Sequence, residues 1–563
     1  MKLVPGRHAG AFEAALRRLK DDGVSQRIAA HDASLWGTAP PRAASVRNRL
    51  GWLTIASEML SRTGEIQSLV EDIERAGVRD VVVLGMGGSS LAPAVLGRSI
   101  ESRRGAPRLS VLDTTDPETI RRLHRSLALE STLFIVASKS GGTIEVAALY
   151  GYFRHAMERA VGASRAGSRF VAITDAGTPL ERLARDAGFR RIFLNPADIG
   201  GRYSALSCFG AVPAAVAGID IERLLDAGVE AQREALEGGG GSALALGAMI
   251  GALSIAGIDK LSLLVGPAVA SFGLWLEQLI AESTGKDGVG ILPVVAEPPG
   301  TPRVYGHDRL WVQFRVEGDS NGEHDALIGA LTAEGHPAVI IDLDTAYDLG
   351  REFFRWEYAT AVAGVLLGIN PFDEPNVQES KENTAGVLSQ FERSGALDAF
   401  DGESGMFWAG DTAQPRDVVG ALQSLFGALQ PGGYLAICGY ITEDERAEAA
   451  FSRIRAAVRD ELRVATTLGY GPRYLHSTGQ LHKGGPASGA FLLVTAHERE
   501  DLSIPGRPYT FGQLKRAQAI GDFQSLVARG RPVLRVHLGA APDRALQALV
   551  EATNVALLRL PKR

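Results

Sequence analysis

The segment SKSGGTIE, residues 138–145, has the residue types of a phosphate-binding loop. Its two glycines let the backbone turn tightly and come close to a ligand. Ser138, Ser140 and Thr143 supply hydroxyl donors, and Lys139 supplies a full positive charge. A helix that starts after the loop would add unpaired N–H groups and the positive end of its dipole. A loop that only caps a helix is the alternative, but capping needs a single hydroxyl and this loop has several.

A second glycine-rich segment, GMGGSS at residues 85–90, contains Gly88 and Ser89 as further candidate ligand contacts. It is a weak dinucleotide signal, because Ser90 replaces the third glycine of the G-x-G-x-x-G motif. Asp113 ends the next predicted strand, where a ribose-binding acid would lie, so a nicotinamide-dependent enzyme stays an alternative. A dinucleotide needs one glycine turn, however. The additional hydroxyl-rich loop therefore favours a terminal phosphate monoester.

Alternating strands and helices must position these loops. Apolar runs predict strands that end just before each loop, and helices that begin just after it. This β-α-β alternation predicts a parallel sheet with helices on both faces. Ligands bind such sheets beyond the carboxyl ends of the strands, so both loops can face one ligand. The predicted strands of this part are residues 81–84, 109–113, 133–137, 170–174 and 191–194, and the helices include 91 onward, 117–127 and 146–157.

A second strand-helix series follows the GGGGS segment at residues 238–242, which we interpret as a flexible break near a domain boundary. Residues 1–75 have helical character, and residues 388–415 look irregular. We therefore predict four parts: an N-terminal helical segment, two α/β domains and a C-terminal region. Their ranges are 1–75, 76–237, 243–400 and 401–563. In the second domain the predicted strands are residues 261–265, 310–316 and 338–343, with helices at 268–283 and 353–367. In the C-terminal region we predict helices at 418–428 and 443–462 and strands at 434–438 and 533–536.

Composition limits the function classes. The chain has 563 residues, which predicts more than one domain. A net charge of −6 without a basic tract disfavours nucleic acid or an anionic membrane as partner. Two cysteines, Cys208 and Cys438, make neither a disulfide framework nor a metal cluster, which fits a cytoplasmic location. We expect no signal peptide, and no membrane span from the apolar segment 358–369.

The paired loops resemble the sugar isomerase (SIS) domain, which binds phosphosugars. Three later segments resemble the phosphoglucose isomerase family: GGRYS at 200–204, QLIAESTGK at 278–286 and NPFDEPNVQESK at 370–381. With LGYGPRYLHSTGQLHKGGP at 468–486, the resemblance covers nearly the whole chain. It is strongest to the phosphoglucose isomerase portion of bacterial bifunctional transaldolase/phosphoglucose isomerase proteins, although we expect no transaldolase barrel before it. The resemblance implies an α/β fold with two doubly wound SIS-type domains, mainly parallel sheets flanked by helices, and helical N-terminal and C-terminal extensions. It also implies that the C-terminal region, residues 401–563, completes the active site.

The implied reaction is the aldose–ketose isomerisation of glucose 6-phosphate and fructose 6-phosphate, a step of glycolysis and gluconeogenesis. It passes through a cis-enediolate and needs a carboxylate base, a cation near the developing oxyanion and an acid–base group that opens the ring. Glu282 matches the family's base, and an ordinary glutamate pKa of about 4.3 leaves it ionised at neutral pH. Gln278 lies four residues earlier, on the same face of a helix, and resembles a substrate-contacting glutamine. Thr284 replaces the asparagine that the family commonly has.

By the same resemblance, Arg202 stabilises the enediolate charge, a role that typically contributes a few kcal/mol. Lys381 matches the family's late catalytic lysine, near the ring oxygen. Glu374 stands where the family usually has a glutamine that contacts phosphate. A carboxylate there would repel phosphate, which argues against that contact.

The ring-opening histidine is predicted from HSTGQLHKG at residues 476–484. This run aligns with a family run, with one residue deleted, and places His476 on the catalytic histidine and His482 on a second one. The family has this run before the N-P-F-D motif, so the order of the two motifs is exchanged here. His476 is our prediction for the acid–base group, and His482 is the alternative. A histidine pKa of about 6.5 suits proton transfer at a ring oxygen.

We therefore predict a cytoplasmic phosphosugar isomerase that uses no cofactor and no metal. The resemblance suggests a homodimer, and a transaldolase is a candidate functional partner. Isomerisation of mannose 6-phosphate as well is one alternative. A non-catalytic SIS-type phosphosugar sensor is another, although a sensor has no need of Glu282, Arg202 and Lys381 together. A sugar amidotransferase is excluded, because it would need an N-terminal nucleophilic cysteine.

Overall fold

Parallel strands alternate with helices along most of the chain. The computed structural model describes residues 1–395, 397, 405–410, 415 and 417–561. Within these residues the strands form three five-stranded sheets. In chain order the strands are β1 Lys2–Val4, β2 Asp80–Leu84, β3 Arg108–Leu112, β4 Thr132–Ala137, β5 Phe170–Asp175, β6 Arg191–Asn195, β7 Lys260–Val265, β8 Leu292–Val294, β9 Arg309–Val316, β10 Ala338–Leu343, β11 Gly405–Ala409, β12 Tyr434–Tyr440, β13 Ala465–Tyr470, β14 Gly489–Thr495 and β15 Val533–His537.

Helices cover the faces of these sheets. They are α1 Ala9–Asp21, α2 Val24–Ala29, α3 Pro40–Arg47, α4 Ile55–Ser61, α5 Thr63–Arg75, α6 Gly88–Ser99, α7 Pro117–Ser126, α8 Ile144–Val161, α9 Ala163–Ala166, α10 Pro179–Asp186, α11 Cys208–Val216, α12 Ile221–Glu237, α13 Gly241–Ile255, α14 Phe272–Thr284, α15 Gly322–Ala333, α16 Leu349–Leu367, α17 Pro375–Ser394, α18 Val418–Ala428, α19 Glu445–Leu462, α20 Gly479–Gly484, α21 Phe511–Ala528 and α22 Pro542–Leu558. The predicted α/β class, with mainly parallel sheets flanked by helices, is confirmed.

The first sheet has the order β3-β2-β4-β5-β6, and all its neighbouring pairs are parallel. Its central strands β2 and β4 are buried along their whole length. Continuous apolar runs fit such strands, because helices cover both faces of a parallel sheet. Leu84 pairs with Val136 near the carboxyl ends of β2 and β4, so the two glycine-rich loops leave the sheet side by side.

The second sheet has the order β1-β10-β9-β7-β8. Its β7 to β10 strands pair in parallel, whereas β1 pairs antiparallel with β10. The N-terminal segment is helical from α1 to α5, as predicted, but its first residues form this edge strand. A segment of three residues is too short for its periodicity to predict a strand. β1 forms because its backbone pairs with the free edge of β10.

The C-terminal region contains helices α18 to α22 and a third sheet with the order β11-β15-β14-β12-β13. Among the described strands of this third sheet, only β11 is antiparallel to its neighbour. The prediction of irregular structure at 388–415 is wrong where residues are described, because α17 continues to Ser394 and β11 lies at Gly405–Ala409. Val387 and Leu388 are buried against the core of the first sheet, and this packing extends the helix. Residues 396, 398–404, 411–414 and 416 lie outside the described part.

The glycine segment 238–242 is a turn between α12 and α13 rather than a loose break. Gly240 has a φ of +94°, which favours glycine. The hydroxyl of Ser25 donates to the Gly239 carbonyl at 3.1 Å, and the Ser242 N–H donates to Glu234 at 2.8 Å. The division into four domain ranges remains our proposal.

No single helix in the described part of the chain is long and apolar enough to cross a membrane. The pair α12 and α13 passes that test only when joined, and it bends by 75°.

Helix α21 connects the C-terminal region with the first sheet. Phe511 and Leu514 pack in the same apolar core as Phe153 of α8. Further along α21, Ala519 and Leu526 pack in the core that covers the third sheet. A capping box formed by Thr510 and Gln513 fixes the start of α21. Side chains of α21 are thereby brought next to the loop that follows β4.

Candidate active site

The loop after β2 is packed directly against the other predicted site residues. Gly87 has a φ of +56°, and a Cβ atom there would lie 3.0 Å from Gln278 Nε2 and 3.1 Å from His476 Cβ. A Cβ atom on Gly88 would lie 1.9 Å from the Gly201 carbonyl oxygen. Glycine is therefore required at both positions. The loop brings together residues from α14, from the turn around residue 201 and from the region of the third sheet.

The loop after β4 forms a tight turn at the N-terminus of α8. The Ser138 hydroxyl lies 3.1 Å from the Thr143 hydroxyl and accepts a hydrogen bond from the Gly141 N–H at 3.2 Å. The Gly142 N–H donates to the Ser140 hydroxyl at 3.3 Å. Hydroxyl groups thus gather where the dipole of an 18-residue helix favours an anion. Ser89 is buried in the first turn of α6, beyond the neighbouring strand.

Lys139 has an acidic partner of its own. Its ammonium group forms an ion pair with Asp175 at the end of β5 and donates to the Ala197 carbonyl at 2.8 Å. The three hydroxyl-bearing residues of the loop are thus gathered at one turn, whereas the lysine charge is held by the neighbouring strand end.

Glu282 and Gln278 lie one turn apart on α14, on the same face as predicted. Gln278 Nε2 donates to Glu282 Oε2 at 3.0 Å and to the His476 carbonyl at 2.8 Å. Both side chains are buried. Burial raises the pKa of Glu282, Arg202 opposes this rise and Glu374 adds to it. The carboxyl group is therefore more basic than the ordinary glutamate that the sequence alone suggested.

Arg202 lies in a short turn, with only 2% of its side chain exposed. Its Nη1 atom is 3.4 Å from Glu282 Oε1 and 3.0 Å from Glu374 Oε2. The buried arginine therefore joins the predicted base to the segment that precedes α17. The sequence argues against a phosphate contact for Glu374, and in the structure its carboxylate accepts a hydrogen bond from this arginine instead.

His476 lies in the turn before α20, and its partner is Glu145. His476 Nε2 is 3.1 Å from Glu145 Oε1. Gln518 Nε2 also donates to Glu145 Oε1, at 2.7 Å. The Thr115 hydroxyl in turn donates to the side-chain oxygen of Gln518 at 2.9 Å. Burial opposes ionisation of Glu145, but the neighbouring His476 brings its pKa below the usual value. Pairing of Nε2 with a carboxylate leaves Nδ1 of His476 as the second proton-transfer atom.

Glu145 and Gln518 are site residues that the sequence interpretation missed. Glu145 ends the SKSGGTIE segment and lies in the first turn of α8. Its position next to the loop was the only available signal. Gln518 carried no signal, because it comes from a helix of the C-terminal region.

His482 has a different environment from His476. Its ring lies among Tyr434, Tyr474 and Phe491, with ring centroids 5.0 to 6.1 Å away. Within the described residues, neither ring nitrogen has a hydrogen-bond partner. Burial, with the charges of Lys483 and Arg531, lowers its pKa to about 3. A histidine that stays neutral in an aromatic pocket is suited to packing rather than to proton transfer.

Lys381 projects from α17 and is exposed to solvent. Its charge contributes to the lowered pKa of Glu145, after burial and the larger effect of His476. The site therefore combines a buried carboxylate next to an arginine, a histidine–carboxylate pair and a hydroxyl-rich anion loop. Such groups can move protons on a phosphorylated carbonyl compound. In the described part of the chain, no group of three or more His, Cys, Asp or Glu residues is arranged to hold a metal ion.

Comparison with known proteins gives consistent matches. The family model for phosphoglucose isomerase matches residues 58–307. The glucose-6-phosphate isomerase of Rubrobacter xylanophilus is 31% identical over 375 residues, which cover 58% of this chain and 87% of that protein. The probable glucose-6-phosphate isomerase of Natronomonas pharaonis is 32% identical over 426 residues, covering 69% of this chain and 94% of that protein.

Two solved structures share the fold. The hypothetical protein TT0462 from Thermus thermophilus matches with a TM-score of 0.58 at 25% identity, covering 70% of this chain and 99% of that chain. A glucose-6-phosphate isomerase from Chlamydia trachomatis matches with a TM-score of 0.53 at 19% identity, covering 68% and 86%.

Proposed function

The chain belongs to the phosphoglucose isomerase family, and we propose that it is a glucose-6-phosphate isomerase that uses Glu282 as its base. One observation carries this proposal. Glu282 is buried beside Arg202, and Gln278 links it to the backbone of His476. A base, a cation and an acid–base group therefore meet around one loop, which is what isomerisation requires.

Ring opening is the first step. His476 gives a proton to the ring oxygen as the bond between C1 and that oxygen breaks. The hydroxyl on C1 loses its proton to water and becomes the carbonyl, and Lys381 stands near the ring oxygen. Glu145 orients the imidazole of His476 for this transfer, since its carboxylate lies within hydrogen-bond distance of Nε2. Gln518 keeps the Glu145 carboxylate in place.

Proton transfer between C2 and C1 follows. Glu282 takes the proton from C2 of the open-chain aldose, and the electrons move onto the carbonyl oxygen to form a cis-enediolate. Arg202 stabilises the developing negative charge. Glu282 then returns the proton to C1 while the hydroxyl proton on the C2 oxygen passes to the C1 oxygen, which gives the ketose. Because only the ionised carboxylate can take the proton, the raised pKa of Glu282 limits the reaction on the acid side.

The phosphate group is held by the two loops. Ser138, Ser140 and Thr143 bind it at the start of α8, with Gly88 and Ser89 beside them on the neighbouring loop. The hydrogen bonds within the β4 loop support this assignment, because they hold the hydroxyl groups in one turn. Lys139 contributes its charge from the flank, where Asp175 holds it.

A coupled assay tests the proposal. The purified protein should convert fructose 6-phosphate into glucose 6-phosphate. Added glucose-6-phosphate dehydrogenase then oxidises this product and reduces NADP, which is measured. Absence of turnover by the wild-type protein would refute the proposed isomerase activity. Glu282→Gln should abolish turnover and leave phosphosugar binding within a few-fold, since the amide keeps the shape but cannot accept the proton.

Two alternatives are separated by the same assay. A phosphosugar sensor would bind fructose 6-phosphate without turnover, although the buried Glu282–Arg202 pair would then have no task. Isomerisation of mannose 6-phosphate as a second activity would give turnover with both sugars. Assembly as a homodimer, a functional link to a transaldolase and a cytoplasmic location remain predictions. Sedimentation analysis tests whether the protein is a homodimer.

A further inference from the structure

One arginine serves two carboxylates in this site. Arg202 Nη1 lies 3.0 Å from Glu374 Oε2 and 3.4 Å from Glu282 Oε1. Arg202 has only 2% of its side chain exposed, whereas 35% of the Glu374 side chain is exposed. The carboxylate of Glu374 thus reaches a buried cation from the solvent side and competes with Glu282 for its charge.

The position of Arg202 does not depend on Glu374. Its Nε atom donates to the Ser283 hydroxyl at 2.8 Å, and its Nη2 atom donates to the carbonyls of Pro371 and Asp373 at 2.8 and 2.9 Å. These neutral acceptors already fix the plane of the guanidinium. What Glu374 adds is therefore negative charge, and a neutral group of the same shape could keep the hydrogen bond.

Among the residues that the structure describes, this added charge forms an ion pair only with the shared Arg202. Lys286 is paired with Asp373, 2.8 Å from its Oδ1 atom. In the described part of the site, two cations, Arg202 and Lys286, therefore face the carboxylates of Glu282, Glu374 and Asp373. The charged or titratable groups that face Glu282 are Arg202 and Tyr203 from the turn at 201–203, Lys286 after α14, Glu374 before α17 and, through Gln278, His476.

Sharing the arginine has two opposite chemical effects. A carboxylate whose cation is partly neutralised holds a proton more tightly, so Glu282 becomes a stronger base. The same neutralisation leaves less positive charge for an enediolate oxygen. Burial raises the pKa of Glu282, and the negative charge of Glu374 raises it further.

We infer that Glu374 is a positioning residue which, through Arg202, strengthens Glu282 as a base at the expense of oxyanion binding. This inference depends on the proposed function. Glu374 is not a catalytic residue, because its contact is with Arg202 and its charge acts on Glu282 from a distance rather than on the reacting atoms.

The test compares Glu374→Gln with wild type over a range of pH. The amide keeps the oxygen that Arg202 needs and removes only the charge. The acid limb of the pH profile of kcat/KM should move to lower pH by about one unit, because both the lost repulsion and the freed arginine lower the pKa of Glu282. Glu379→Gln is the matched control, since Glu379 lies on α17 and pairs with Arg529, and its profile should not move.

A binding measurement provides a second readout. Arabinonate 5-phosphate carries a carboxylate where the enediolate would form, so calorimetry should show several-fold tighter binding to Glu374→Gln than to wild type. A lower rate without a shift of the acid limb, or unchanged binding of this probe, would overturn the inference. Absence of wild-type turnover would instead refute the proposed function, so the two failures can be told apart. Thermal melting verifies that both variants are folded.

Discussion

Replacing Glu145 by glutamine isolates the histidine–carboxylate pair. The substitution keeps the size of the side chain and removes the charge that faces His476 Nε2 at 3.1 Å. The pair is buried, with 5% of the Glu145 side chain and 16% of the His476 side chain exposed. A hydrogen bond to a charged group contributes about 1.5–3 kcal/mol. Since about 1.4 kcal/mol corresponds to a tenfold change in rate, kcat/KM should fall roughly 10- to 100-fold.

The assay compares a cyclic with an open-chain substrate. Turnover of cyclic glucose 6-phosphate should show the full loss, because His476 must carry a proton during ring opening. Glu145→Gln should lower turnover much less for an analogue that lacks the hydroxyl groups with which the sugar closes its ring. His476→Ala should give the same contrast. If His482→Ala gives it instead, the alignment of the HSTGQLHKG run is wrong.

A matched control lies on the same helix. Glu158 pairs with Arg154 at 2.7 Å near the other end of α8, and Glu158→Gln removes a charge there without reaching the site. Its kinetics should match wild type. Equal losses for cyclic and open-chain substrates in Glu145→Gln, or no loss at all, would refute the role of the pair in ring opening.

Further predictions concern pH, packing and stability. The acid limb of kcat/KM for the wild-type protein should lie above the ordinary glutamate pKa, because burial raises the pKa of Glu282; a pH-rate profile measures this. Gly88→Ala should destabilise the fold by about 3 kcal/mol in urea unfolding and lower activity, because the added Cβ would meet the Gly201 carbonyl at 1.9 Å. His482 has a folded-state pKa of about 3, below its unfolded value of about 6.5, so its contribution to stability is present above pH 6.5 and is lost as pH falls toward 3. His482→Phe should therefore weaken the acid dependence of the unfolding free energy measured between pH 7 and 5.

The C-terminal region contributes side chains to the candidate site. His476 lies in the turn between β13 and α20, and Gln518 lies on α21, which also packs on the core of the first sheet. The prediction that residues 401–563 complete the active site is consistent with these contacts. It also explains how the exchanged order of motifs can still place a histidine beside Gln278.

The sequence by itself determined the local features. Residues 85–90 and 138–143 were recognisable as candidate ligand loops because glycines and hydroxyl residues act within a few positions of one another. The strands before them were predictable because strands of a parallel sheet, covered on both faces, are continuous apolar runs. Gln278 and Glu282 could be placed on one face because helical spacing is fixed.

Only the tertiary structure decided which distant groups meet. Glu145 and His476 are 331 positions apart, Glu145 and Gln518 are 373 apart, and Arg202 and Glu374 are 172 apart. No periodicity links residues at such separations, since their contact follows from the packing of α8, α14 and α21 around the sheets. Burial is also a product of that packing. It raised the pKa of Glu282 and lowered that of His482, which favours a packing role for His482 and leaves His476 as our proposed proton-transfer group.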